Sequence, residues 1–168
     1  MGGKAMSGGR LTGGCQCGAV RYALSEVPSE PSICHCRMCQ KAFGSYFAPL
    51  ASVSNAAFEV TRGEIATFMS SDVVERGFCR DCGTPLTFRY LEGARTSVSL
   101  GSLDDPSAIK PLTADGVEGM MPWFGELGAL AGTRTEDDSD PKLAVIARSN
   151  HQHPDHDTAS WPEERHRR

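Results

Sequence analysis

Short stretches in which apolar and polar residues alternate recur along most of the chain. Ala19 to Leu24 puts Val20, Tyr22 and Leu24 on one face, the two-residue period of a half-buried strand. Tyr46 to Val53, Phe58 to Thr61, Ile65 to Met69, Val73 to Phe78, Pro85 to Tyr90 and Thr96 to Leu100 read as further strands. Turn residues separate them at Arg62-Gly63-Glu64, at Ser70-Ser71-Asp72 and at Glu92-Gly93. Pro28 and Pro31 mark a loop, Met38 to Ala42 a short helical turn, and Asp104 to Ala108 the start of another short helix. From Lys110 to Gly132 the periodicity fades, although Met120 to Phe124 is an apolar cluster that should cover something. An acidic break at Glu136 to Asp140 and an apolar island at Leu143 to Ile146 precede a polar stretch that reads as an extended, solvated tail. Many short strands with turns every ~8–12 residues indicate a mainly β fold, a sandwich or a barrel-like arrangement of sheets.

The length of 168 residues suits one domain with a sizeable core. The expected division is a disordered N-terminus at 1–9, a globular unit at 10–135 and a polar C-terminal extension at 136–168. A formal net charge of −4 and the lack of a basic stripe interleaved with aromatics argue against a nucleic-acid partner. No run of 18 apolar residues spans a membrane, and the Gly-rich N-terminus lacks the apolar core of a secretion signal, so a cytoplasmic location is expected.

The seven cysteines change the picture most. They fall into three tight clusters: Cys15-Gln16-Cys17, then Cys34-His35-Cys36-Arg37-Met38-Cys39, then Cys79-Arg80-Asp81-Cys82. An odd count of clustered thiols in a reducing compartment points to metal ligands or redox groups rather than to a disulfide framework. Zinc takes four thiolates in a closed structural site and leaves a position open in a catalytic one. Seven thiols divide as four plus three. Cys15, Cys17, Cys79 and Cys82 would staple the first strand to the middle of the sheet. Cys34, Cys36 and Cys39 would form a three-thiolate site with room for water or a substrate thiol. Other readings stand beside this one: buried core thiols, two structural zincs with His35 or a tail histidine closing the second, or redox Cys-x-x-Cys pairs at Cys36/Cys39 and Cys79/Cys82. Thioredoxin-type sites need a βαβ setting, which the strand-rich pattern does not provide. In an extended segment His35 points away from its neighbours, as a surface group or a support for the ligands. Arg37, Lys41 and Arg80 lie beside the clusters, either to offset their charge or hold a substrate carboxylate, or as ordinary solvated cations. A three-thiolate site favours soft sulfur ligands over oxygen.

Three ordered motifs then carry a resemblance: Gly14 to Tyr22, Cys34 to Lys41, and Phe78-Cys79-Arg80-Asp81-Cys82-Gly83-Thr84-Pro85-Leu86. Over Leu11 to Phe124 the chain resembles the glutathione-dependent formaldehyde-activating enzyme family, which includes the centromere protein V-like proteins. The resemblance implies the Mss4-like fold of stacked antiparallel sheets with zinc knuckles. It implies a structural zinc on Cys15, Cys17, Cys79 and Cys82 and a catalytic-type zinc on Cys34, Cys36 and Cys39. It also implies carbon–sulfur lyase chemistry on a thiol–aldehyde adduct such as S-hydroxymethylglutathione, with glutathione as the small-thiol partner. A non-catalytic zinc scaffold that docks partners through Trp123-Phe124 is the alternative. Many members carry a histidine between positions matching Pro111 and Pro122-Trp123. This chain has Leu112-Thr113-Ala114-Asp115 there; if that histidine shapes the pocket, the resemblance implies a substrate different from that of the family's namesake.

Overall fold

The computed structural model describes residues 10–160; the stretch expected to be disordered at 1–9 and the end of the tail lie outside them. In chain order the elements are β1 (Leu11–Gly14), β2 (Arg21–Leu24), β3 (Ser29–Cys34), α1 (Arg37–Phe43), β4 (Ala48–Ser54), β5 (Phe58–Arg62) and β6 (Ala66–Ser71). They continue with β7 (Val74–Phe78), β8 (Pro85–Tyr90), β9 (Arg95–Ser99), β10 (Thr113–Asp115) and α2 (Pro141–Arg148). A three-stranded sheet runs β1-β2-β5, and a seven-stranded one runs β10-β3-β4-β9-β8-β7-β6. Every pairing is antiparallel except that of β10 with β3, so the protein is mainly β with one mixed sheet.

The expected strands form, with β8 at the predicted bounds. The loop expected at Pro28 and Pro31 ends at Pro28. Residues Ser29–Cys34 are an interior strand between β10 and β4, and the register slips between Ser29 and Ser32. Pro31 sits in that irregularity, where its missing N–H costs no ladder bond. Only β4 at full length reaches across this strand, and β10 is three residues long, too short to leave a period. The short helix expected at Asp104 to Ala108 is a single 3-10 turn over Pro106–Ala108, capped by the Asp105 side chain. The apolar island lies in α2, and the acidic break before it supplies the N-cap, Asp140, with Pro141 in the first turn.

One core joins the sheets. Tyr22 and Leu24 of β2, Val53 of β4, Leu86 of β8 and Val98 of β9 are fully buried and in contact. Burial of each such side chain contributes about 1.5–3 kcal/mol. The Tyr22 hydroxyl meets Ser102 Oγ at 2.7 Å, so it does not carry the cost of an unsatisfied buried group. Arg21, polar in the alternating pattern, is buried as well. Its guanidinium bonds Asp104 through Nη1 at 2.7 Å and Nη2 at 2.5 Å, and donates to Asp157 Oδ1 at 2.8 Å.

Candidate metal centres

Two similar turns build the first cluster. Cys15 and Cys17 leave β1; Cys79 and Cys82 leave β7. In each turn the residue after the second cysteine is a glycine in the left-handed region, Gly18 at φ 77° and Gly83 at φ 78°. Each glycine N–H closes the turn on the first cysteine's carbonyl, at 3.1 Å for Gly18 and 2.9 Å for Gly83. Only glycine takes that conformation without steric cost. The core brings the two turns together, so that the Sγ atoms of Cys15, Cys17, Cys79 and Cys82 all lie within 4.8 Å of one another. Cys15 and Cys17 are 3.5 Å apart, and Cys17 and Cys79 are 3.8 Å apart. The backbone N–H of Val20 points at Cys15 Sγ at 3.2 Å, and the Thr84 hydroxyl lies 3.1 Å from Cys82 Sγ. Three of these thiols belong to the main core.

The second cluster sits where β3 runs into α1. Cys34 ends the strand, Cys36 caps the helix by accepting from the Cys39 N–H, and Cys39 faces inward one turn later. Their three sulfurs also lie within 4.8 Å of one another. Gln40 fixes this corner by donating from Nε2 to the His35 carbonyl at 2.7 Å and to the Gly119 carbonyl at 2.8 Å. The cluster packs in a small core of its own with Ala48, Leu50, Phe43 and Phe88. None of the seven cysteines is in a disulfide, and the pairs Cys15/Cys17 and Cys79/Cys82 lie together.

Both donor sets fit a soft dication. Thiols this close repel once ionised, and a dication in their midst removes that repulsion. Burial pushes the Cys34 and Cys79 thiols up, each to about 12. At Cys82 burial acts upward too, but hydrogen bonds from Thr84 and Cys17 outweigh it and bring the thiol to about 7. Cys36 is likewise held below the usual thiol range against burial, by the Cys39 N–H and the adjoining thiols.

The flanking groups differ from expectation. His35 does turn away from the sulfurs, but it is not a surface group. Its ring is fully buried between Phe124 at 4.5 Å and Phe47 at 6.1 Å. Phe124 therefore faces inward, while Trp123 stacks edge-on against Tyr46. Arg37, Lys41 and Arg80 are exposed, and Arg37 donates to the Gln40 side chain at 2.5 Å. The cation that touches the second cluster is Arg76 of β7, which donates from Nη2 to Cys39 Sγ at 3.2 Å and is 3% exposed. Sequence reasoning missed it, yet a signal existed: Arg76 shares the inward register of Val74 and Phe78 on β7. The segment lacking the family's histidine is β10 with the residue before it, and Asp115 pairs with Cys34. The tail is not wholly solvated. His153 is buried, its N–H bonds the Gln16 carbonyl at 2.7 Å, and its ring lies over Gly18. Arg62 ties that segment down through Thr158, whereas His151 and His156 stay exposed.

No helix among the described residues is long and apolar enough to cross a membrane. The model of the glutathione-dependent formaldehyde-activating enzyme family matches residues 10–116. A Schizosaccharomyces pombe protein named as an uncharacterized lyase is 32% identical over 83 residues, which cover 48% of this chain and 58% of that protein. The chain thus aligns with little more than half the length of that curated relative. A Rhodobacter sphaeroides protein of known crystal structure superposes with a TM-score of 0.50 at 22% identity, over 61% of this chain and 98% of the other, a likeness of fold. With the family model spanning both knuckles and the central thiols, this chain belongs to the glutathione-dependent formaldehyde-activating enzyme family.

Proposed function

We propose that this chain is a zinc-dependent carbon–sulfur lyase that makes and breaks an adduct between a small thiol and an aldehyde, such as S-hydroxymethylglutathione. In this reading Cys34, Cys36 and Cys39 form the reaction site, and Cys15, Cys17, Cys79 and Cys82 the structural zinc site. Residues 10–135 form the catalytic unit, working in the cytoplasm with glutathione as the thiol. The supporting observation is the unequal donor number of two otherwise similar clusters: four sulfurs complete a tetrahedral shell, and three leave one position for a ligand. Zinc held by the three would supply a soft Lewis acid that keeps a substrate sulfur as thiolate.

The chain's own residues supply the rest. Cys34 and Cys36 are only half-buried, so the cluster can be reached from solvent. Gln40 holds the Cys36 end of α1 rigid, and Phe43 and Phe88 give the inner wall an apolar character that limits water. In the reaction the thiol sulfur bonds to the aldehyde carbon, the carbon–oxygen π bond opens, and the thiol proton passes to the oxygen; cleavage is the reverse. The uncatalysed addition already proceeds, so little proton management is required. The test is exchange spectroscopy of glutathione with formaldehyde in the presence of the zinc-loaded protein. The expected result is faster exchange with wild type and loss of the acceleration with Cys36→Ser. No acceleration with a fully zinc-loaded wild type would overturn the lyase reading in favour of a non-catalytic zinc scaffold.

A further inference from the structure

Arg76 is a buried cation without an acidic partner. Its side chain is 3% exposed, and among the described residues no carboxylate forms an ion pair with it. Nε donates to Ser70 Oγ at 3.0 Å, Nη2 to Cys39 Sγ at 3.2 Å, and the guanidinium carbon lies 4.9 Å over the Phe88 ring. Nη1 is buried with no hydrogen-bond partner. Buried charges are paired, and here the one group in contact that can carry negative charge is a thiol of the second cluster.

The charge count shows why a cation belongs there. Three thiolates around a dication sum to minus one, and a fourth anionic sulfur would take the site to minus two. An open three-thiolate centre alone therefore repels the soft anion that its chemistry would otherwise select.

We propose that Arg76 is the counter-cation of the Cys34/Cys36/Cys39 cluster and the residue that selects its fourth ligand, the thiolate of a small thiol. This rests on the reading of that cluster as an open metal site. Arg76 acts through charge: it lowers the cost of bringing a further anion beside three thiolates. Because the guanidinium is buried, its effect is screened little by salt.

The test uses the full chain loaded with cobalt(II), whose sulfur-to-metal absorbance grows with each thiolate bound, titrated with 2-mercaptoethanol. Wild type gains absorbance equivalent to one more sulfur. Arg76→Met, which keeps an unbranched apolar stem, binds the thiol at least about tenfold more weakly, and Arg76→Lys recovers most of that loss because it restores the charge. The bands of the four-thiol cluster, unchanged in both variants, report an intact fold. Arg76→Met binding as tightly as wild type overturns the proposal, as does equal weakening in Arg76→Lys, which would make the effect one of shape. A wild type that takes up no thiol at all overturns the lyase reading together with it, so the two failures are told apart.

Discussion

Replacing one thiol in each cluster separates their roles, and the sequence distances set the magnitude. Cys17 and Cys79 are 62 residues apart, so a metal shared by them closes a long loop. By the chain-entropy relation used for cross-links, a loop of that size stabilises the folded state by about 4 kcal/mol. Cys34 to Cys39 spans one strand end and the first turn of α1, already ordered by Gln40. The same relation gives about 2 kcal/mol for so short a loop, as an upper bound. Against a total stability of about 5–15 kcal/mol, the first loss threatens the fold and the second does not. Cys79→Ser is therefore expected to lose about 4 kcal/mol or to fail to fold, and Cys36→Ser to lose about 2 kcal/mol or less. The assay pairs urea denaturation with metal content per chain. Wild type should hold two zincs, and Cys36→Ser about one with its urea slope unchanged. One zinc in both proteins, or equal destabilisation by the two substitutions, would refute the division of the sulfurs.

Asp104→Asn strips the buried Arg21 of its two-point partner and should cost about 2–3 kcal/mol at neutral pH, whereas Asp157→Ala, at an exposed partner, should cost under about 1 kcal/mol. Burial acts upward on the Asp104 carboxyl, but Arg21 and the Thr12 hydroxyl hold it below the usual carboxylate value. Its contribution is thus complete above that usual value and lost as the pH falls through the lower folded one. The Asp104→Asn penalty should shrink in acid, and denaturation curves showing a constant penalty would contradict this. Gly83→Ala meets open space and should cost only the left-handed backbone term, about 1–2 kcal/mol, while Gly18→Ala also strikes the His153 ring. Truncation after residue 149 should bring the two glycine variants to equal stability. Zinc loading of the metal-free protein at pH 7 should release protons, since burial keeps Cys34 and Cys79 protonated until metal arrives. Calorimetry in buffers of different ionisation enthalpy measures that release, and a buffer-independent heat would disprove it.

The alternating stretches determined the strand content, because a two-residue period with turn residues at the ends has few other solutions. The grouping of seven thiols into three clusters likewise determined a four-plus-three division before any fold was known. Gly18 and Gly83, each following a cysteine pair, already marked the turns that fold it. What lay beyond the sequence was which distant groups meet. Strand Ser29–Cys34 was hidden because the register irregularity around Pro31 breaks the local pattern, and its place is set by pairing with residues that follow far later. Arg76 reads as an ordinary strand cation until its face of β7 is laid against α1. His153 reads as solvated tail until the first knuckle accepts its ring. Backbone periodicity is a local property, and a chain can display it in its own residues. The partner of a buried charge, or the cover over a glycine, is a contact between distant segments, and only the packed sheets decide it.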